Sequence, residues 1–106
     1  MKDEANRMTY HKLYKKSEDF LKKLLKQNLP ADSKFFLFGS RAMGEHSKSS
    51  DIDIGVMSEN LDNKTILKIK EIIDESFVPF KVDIIDFSKT DENFKREALR
   101  RIVRWN

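Results

Sequence analysis

Residues 51–56, with the sequence Asp-Ile-Asp-Ile-Gly-Val, alternate acidic or small side chains with branched apolar ones. Successive side chains of a β-strand point to opposite faces, so Asp51, Asp53 and Gly55 would share one face and the isoleucines and valine the other. The apolar face needs a core to cover it. The segment therefore predicts a strand with one buried face, whose other face carries two carboxylates and leaves room at Gly55 for a ligand to approach the backbone.

The length of the chain limits how many domains can surround this strand. The chain has 106 residues, and domains commonly contain about 100 to 150. Hydrophobic residues make up 39% of the chain and charged residues 37%, which indicates one modest core with a solvated surface. We predict a single domain over residues 1–106, with no room for a second substrate-binding domain.

Several classes of protein are excluded by what the sequence lacks. There is no cysteine, which removes disulfides, thiolate metal sites and thiol nucleophiles. No apolar run approaches the length of about 18 residues that a membrane span needs, so we expect a cytoplasmic protein with no membrane partner. A metal would have to be held by oxygen or imidazole, and His11 and His46 lack the spacing of a ligand pair.

The remaining segments predict a small α/β (α+β) fold, with a mixed sheet and helices packed on it. Residues 41–50 show no periodicity and are predicted to form a short helical turn and a loop. In chain order, the predicted elements are a helix at 9–28, strands at 35–38 and 51–56, a helix at 61–77, a strand at 80–86, and a final helix that carries Phe94, Ala98, Leu99, Ile102, Val103 and, as a packing residue, Trp105.

The chain has a net charge of +3, and its basic residues concentrate at 12–26 and 95–104. Both segments also have helical apolar spacing, which favours two helices with solvated basic faces. The alternative is a surface that attracts nucleic acid or an acidic protein. We favour the solvated faces and do not expect a nucleic-acid partner.

A third carboxylate, Asp83, lies in the strand predicted at 80–86. Side-chain alternation puts Asp83 and Asp86 on opposite faces, so both cannot join one site. If this strand lies beside 51–56, Asp83 approaches Asp51 and Asp53, and each like-charge pair at about 5 Å costs about 3 kcal/mol at an effective dielectric constant near 20. A divalent cation would remove this cost, and oxygen ligands suit Mg²⁺.

The segment Gly39-Ser40 follows the first predicted strand and begins the helical turn. Free backbone N–H groups at such a position can bind an anion. Gly39 lets the backbone approach a phosphate, and the Ser40 hydroxyl can donate a hydrogen bond to it. Arg41 and Lys48 also lie where they could contact phosphates, although basic loop residues are commonly only solvated. We assign Arg41 to the nucleotide site and leave the roles of Lys48 and Asp86 open.

Two motifs together carry a resemblance to a known family. Gly-Ser-Arg-Ala-Met-Gly at 39–44, then five residues, then Ser-Asp-Ile-Asp-Ile-Gly-Val at 50–56 resembles the signature of the minimal nucleotidyltransferase domain of the DNA polymerase beta-like superfamily. The surrounding elements fit that family's layout over residues 13–86.

The resemblance implies a nucleotidyltransferase fold and a role for each matching residue. Gly39 and Ser40 would hold the triphosphate of ATP, and Asp51 and Asp53 would bind two Mg²⁺ ions. Asp83 would be the third carboxylate, which helps to activate the attacking hydroxyl. The implied reaction transfers a nucleoside monophosphate to an acceptor hydroxyl and releases pyrophosphate.

The resemblance also implies a partner. Single-domain members of the family are commonly encoded beside a HEPN-domain ribonuclease toxin, and some neutralise it by attaching AMP to a tyrosine. We therefore expect an antitoxin-type protein adenylyltransferase. The alternatives are a non-catalytic module that masks its partner and a nucleotidyltransferase that modifies a small molecule. The sequence leaves open the acceptor, the preferred base, the oligomeric state, and whether the last helix packs on this domain or on a partner.

Overall fold

The computed structural model describes the backbone of residues 2–106 and the side chains of residues 9–106. Its helices and strands alternate through most of the chain, and one 3₁₀ turn follows the third strand. In chain order the elements are α1 (Lys2–Asn28), β1 (Lys34–Phe38), α2 (Ser40–Met43), β2 (Ile52–Met57), α3 (Asn63–Asp74), β3 (Val82–Asp86), the 3₁₀ turn (Phe87–Lys89), α4 (Glu92–Ala98) and β4 (Val103–Arg104).

The strands form one mixed sheet in the order β3-β2-β1-β4. β1 pairs antiparallel with β2 and with β4, whereas β2 pairs parallel with β3. A parallel pair needs a crossover, and α3 provides it between β2 and β3. The predicted α/β class and mixed sheet are confirmed.

The main core covers the face of the sheet that carries the isoleucines of β2. Ile52 and Ile54 are almost completely buried there, as the alternation in residues 51–56 predicts. α1 and α3 supply the opposing layer through their apolar stripes. The buried members of this core are Leu21, Leu24, Leu25, Leu29, Phe35, Leu37, Ile52, Ile54, Val56, Ile66, Ile69, Ile73 and Ile84.

The basic face of α1 points to solvent, as predicted for residues 12–26. Lys15 is exposed, and Lys22 forms an ion pair with Glu18 at 2.9 Å. Within residues 2–106, no helix has the combination of length and apolar character that crossing a membrane demands.

The prediction of a final helix through Val103 is wrong. α4 ends at Ala98, and Val103 instead begins β4, where it pairs with Leu37. Trp105 extends this contact, because its N–H donates to the carbonyl of Phe35 at 3.1 Å. The strand satisfies backbone groups at the free edge of β1 that a helix could not reach. Trp105 does pack against the main core, as predicted, although it follows a strand.

The helix predicted at 61–77 is also too long. α3 ends at Asp74, and Phe77 lies beyond it with 48% of its surface exposed. Ser76 provides a local reason for the early end, because its N–H and hydroxyl both donate to the carbonyl of Ile73. Such side-chain bonds to nearby backbone compete with continued helix.

Gly55 faces a second, smaller core on the other side of the sheet. Phe36, Phe38 and Phe87 form this aromatic core, and Phe36 is the register partner of Gly55. A Cβ atom at Gly55 would collide with the rings of Phe36 and Phe87, which lie edge to face with centroids 5.1 Å apart. The space that the sequence predicted for a ligand at Gly55 is therefore filled by two aromatic rings.

Replacing Gly55 by alanine should destabilise the protein by about 1–3 kcal/mol, because the added methyl group overpacks the aromatic core. Denaturant unfolding measures the change. Gly44→Asn is the matched control, since Gly44 has a left-handed conformation that asparagine tolerates and has no neighbour for a Cβ atom within 4 Å. Equal unfolding free energies for Gly55→Ala and the parent chain would contradict this packing argument.

Candidate active site

The three predicted carboxylates meet at one end of the sheet. Asp53 in β2 and Asp83 in β3 are register partners in the parallel pair, and Asp51 immediately precedes β2. Each residue offers a carboxylate oxygen, and these oxygens all lie within 4.8 Å of one another. The parallel pairing that the sequence left conditional therefore brings Asp51, Asp53 and Asp83 together, with all three side chains half-buried.

Asp53 lies in an electrostatically unfavourable position within this cluster. Burial raises the pKa of Asp53 above its usual value, and the negative charges of Asp83 and Asp51 raise it further. The positive charge of Lys81 offsets part of this effect. The charged form of Asp53 is therefore less favourable here than that of an exposed aspartate.

The donor set suits a hard divalent cation. Within residues 9–106, this is the one group of three or more His, Asp or Glu side chains that converges closely enough to bind a metal ion, and neither His11 nor His46 belongs to it. Three carboxylate oxygens match the preference of Mg²⁺ for oxygen ligands, while leaving coordination positions for water or phosphate. The residues present therefore fit the predicted metal.

The Gly39 turn lies directly against this carboxylate cluster. Phe38, the last residue of β1, is the register partner of Asp53, and Gly39 then turns the chain with a positive φ of 75°. A Cβ atom at Gly39 would collide with Oδ2 of Asp53. Glycine is required here both by the backbone conformation and by the carboxylate.

Helix α2 begins at this turn, because the N–H groups of Ala42 and Met43 both donate to the carbonyl of Gly39 at 3.1 Å. Glycine supplies no side-chain cap. The N–H groups of Ser40 and Arg41, which come before these two, have no acceptor within the helix, and Ser40 is half-buried. Gly39 and Ser40 thus stand next to the carboxylates, as a triphosphate site would require.

Arg41 has different partners from those predicted. Its Nε and Nη2 atoms donate to the carbonyl of Ser50 at 3.1 and 2.9 Å, and Nη2 also reaches the carbonyl of Lys48 at 3.4 Å. The guanidinium carbon lies 4.6 Å from the ring centroid of Tyr14 and 5.3 Å from that of Phe80. Arg41 is only 7% exposed, so these carbonyls and rings largely enclose its guanidinium.

These contacts make Arg41 a bridge between the two motifs. Its backbone lies in α2, beside the Gly39 turn, and its side chain donates to the carbonyl of Ser50, the residue before Asp51. Lys48 points elsewhere, since its Nζ lies 5.2 Å from the ring centroid of Tyr10. No local sequence signal marks Tyr14 and Phe80 as partners of Arg41, because they lie in distant segments that only the folded chain brings together.

Asp86 lies away from the carboxylate cluster, as alternation along β3 predicts. It is 8% exposed, and its Oδ1 atom accepts from the N–H of Ser88 at 3.0 Å and from the Ser88 hydroxyl at 2.6 Å. Lys89 lies 3.7 Å from the other carboxylate oxygen. Asp86 therefore caps the 3₁₀ turn.

Residues 8–103 match the family model described as polymerase beta, nucleotidyltransferase. The chain is 38% identical over 89 residues to a probable protein adenylyltransferase, MntA, of Haemophilus influenzae, in an alignment that covers 82% of this chain and 77% of the relative.

Solved toxin-antitoxin structures share this fold. A crystal structure of a toxin-antitoxin with AMP-PNP superposes with a TM-score of 0.71 at 27% identity, covering 84% of this chain and 72% of the other. A mutant of the toxin-antitoxin MntA-HpeT superposes with a TM-score of 0.63 at 27% identity, covering 82% and 68%.

Asp53→Asn should stabilise the metal-free protein at neutral pH, because it removes the charge that burial and two neighbouring carboxylates disfavour. The raised pKa of folded Asp53 makes its contribution to stability most favourable below the usual value of 3.8. That contribution is lost as the pH rises through the folded pKa. The stability difference between variant and parent should therefore grow from pH 4 to pH 7.

Thermal unfolding in EDTA at several pH values measures this difference. Glu71→Gln is the control, because it neutralises an exposed carboxylate on α3, away from the site. A variant that is less stable than the parent at pH 7, or a difference that does not change with pH, would show that the Asp53 charge is not under strain.

Arg41→Lys should lower stability and weaken binding of Mg²⁺ or Mn²⁺ together, because lysine cannot reproduce the paired bonds to Ser50 that hold Asp51 in place. Unfolding and calorimetric titration of the metal measure the two effects. Arg96→Lys, at an exposed position of α4, should change neither. If metal affinity falls while stability is unchanged, Arg41 acts on the ligand and not on the loop.

Proposed function

The chain belongs to the polymerase beta nucleotidyltransferase family, and we propose that it transfers AMP from ATP to a hydroxyl group of a protein partner. The observation that carries this proposal is the convergence of Asp51, Asp53 and Asp83 beside the Gly39 turn. A triphosphate and its metal need such a pairing of anion-binding backbone with carboxylates.

The relatives support ATP as the nucleotide and a protein as the acceptor. The Haemophilus influenzae relative is a probable protein adenylyltransferase, and a structural relative is a toxin-antitoxin with AMP-PNP, an ATP analogue. We propose a tyrosine of a HEPN-type toxin as the acceptor and the cytoplasm, where ATP is available, as the site of action. The protein would then act as the antitoxin.

We assign the roles of the site residues from their positions. Gly39 and Ser40 would bind the triphosphate through backbone N–H groups and a hydroxyl, and Asp51 and Asp53 would hold Mg²⁺, with Asp83 as the third ligand side chain. When bound, a pair of such ions stabilises the attacking and leaving oxygens of an in-line displacement. Arg41 would position the loop that carries Asp51.

The proposed transfer exchanges one phosphorus–oxygen bond for another. The acceptor oxygen forms a bond to the α-phosphorus as the bond between that phosphorus and the bridging β-phosphate oxygen breaks, and pyrophosphate leaves. Asp83 would take the proton of the acceptor hydroxyl. Asp83 lies on β3, on the side of Asp53 that is away from the Gly39 turn. The acceptor would therefore stand on one side of the α-phosphorus and the leaving pyrophosphate on the other.

Incubation with ATP labelled at the α-phosphate, Mg²⁺ and a HEPN-type partner tests the proposal. The label should move to a partner tyrosine, and Asp53→Asn should reduce transfer by several orders of magnitude because its metal clamp is lost. Gly39→Val should reduce it more than Ser40→Ala, because a valine side chain meets Asp53. Partner masking without transfer would identify a binding module, and label on a small molecule would identify a different acceptor class.

A further inference from the structure

A groove opens beside the Gly39 turn, between α2 and α4. Its volume is about 550 Å³, within the range of about 300–1,000 Å³ that is typical of small-molecule sites. We call it the α2–α4 groove. Residues that line it include Phe38, Gly39, Met43, Phe94, Ala98 and Arg101.

The groove contains an aromatic ring that is held in place and yet exposed. The ring of Phe94 lies 6.2 Å from that of Phe38 and 5.7 Å from that of Phe87, between centroids. Nevertheless, 41% of Phe94 is exposed, as is 47% of Met43 nearby. A fixed aromatic ring with a free surface is a platform on which a nucleobase can stack.

The charges at the rim favour an anionic ligand. Arg100 is neutralised by Glu97, whose Oε1 lies 3.0 Å from its Nη1 atom. Among the side chains of residues 9–106, Arg101 has no carboxylate partner, and its Nη1 atom contacts only the carbonyl of Met43 at 3.5 Å. The groove therefore combines an apolar floor with one uncompensated positive charge.

The strand order places this groove on the nucleotide's side of the carboxylates. In the order β3-β2-β1-β4, Asp83 lies on one side of Asp53, and the Gly39 turn, which lines the groove, lies on the other. An in-line displacement brings the acceptor from the side of its base, Asp83. A groove that begins at the proposed triphosphate site is thus continuous with the nucleotide and not with the acceptor.

We propose that the α2–α4 groove binds the base and sugar of the nucleotide, with the base stacked on Phe94. This inference rests on the proposed function, because it takes the triphosphate to lie at the Gly39 turn. It assigns nucleoside binding to α4 and the residues after it, which lie outside the two motifs that carry the carboxylates and the glycine turn.

Calorimetric titration of the full chain with MgATP and with magnesium tripolyphosphate separates nucleoside binding from phosphate binding. Phe94→Ala should weaken MgATP binding by roughly five- to a hundredfold, the range of one lost stacking contact, and should leave tripolyphosphate affinity within about twofold. Phe94→Tyr should retain MgATP affinity because it keeps the ring. Phe77→Ala is the matched control, since Phe77 is 48% exposed and packs on Phe20 of α1, away from the groove.

Because Phe94 also contacts the aromatic core, Met43→Ala and Arg101→Gln provide tests at more exposed positions. Met43→Ala should weaken MgATP binding by at least about threefold and leave tripolyphosphate binding unchanged. Arg101→Gln removes the uncompensated positive charge of the rim and should weaken binding of both ligands. Circular dichroism and unfolding should remain as in the parent for both variants. If Phe94→Ala fails to fold, Met43→Ala decides the matter.

The inference is overturned if all folded groove variants bind MgATP as tightly as the parent. It is also overturned if Phe94→Ala or Met43→Ala loses both ligands equally, or if MgATP binding is unchanged while transfer to the partner falls, which would assign the groove to the acceptor. A parent chain that binds tripolyphosphate as tightly as MgATP overturns this inference alone. A parent chain that binds neither ligand contradicts the proposed function as well.

Discussion

The parallel pairing of β2 with β3 sets Asp53 beside Asp83, and the repulsion between their carboxylates is the constraint on which the site depends. Nothing in the backbone relieves it, because register fixes the two residues as direct neighbours. Partial burial is the largest cause of the raised pKa of Asp53, and the charges of Asp83 and then Asp51 raise it further. A small domain has only about 5–15 kcal/mol of net stability to offset this repulsion. The other contacts of β2 must therefore stabilise the strand enough to keep the two carboxylates together.

Both faces of the sheet stabilise β2, each through different contacts. The face toward α1 and α3 buries Ile52, Ile54 and Val56 almost completely, and these side chains hold β2 in register regardless of ligand. On the other face, two aromatic rings pack against Gly55, and this contact holds the same strand from the opposite side. A strand clamped on both faces cannot move Asp53 away from Asp83, so the carboxylates stay close enough to share a cation.

The sequence correctly predicted those elements in which the alternation of apolar and polar residues reflects which side chains are buried. The alternation in residues 51–56 gave the strand, its faces and the carboxylates, and alternation in β3 separated Asp83 from Asp86. The failures at the last helix and at Gly55 had a common cause, since both depended on contacts between distant segments. The spacing of Ile102 and Val103 predicted a helix, but this segment instead pairs as a strand with the free edge of β1. The space predicted at Gly55 is filled by Phe36 and by Phe87, which lies 32 residues farther along the chain.

Arg41 shows why the same limit applies to the site. A basic residue after a Gly-Ser turn favours a phosphate contact as long as only its neighbours in the sequence are considered. In the folded chain Tyr14 and Phe80 cover it, and the Ser50 and Lys48 carbonyls take its hydrogen bonds. A buried arginine that links the glycine turn to the residue before Asp51 fixes their separation before any ligand arrives. A loop that is already ordered before the substrate binds contributes to catalysis, because the substrate does not have to order it during the reaction. An arginine that bound only the phosphate would leave this loop to be ordered by the substrate.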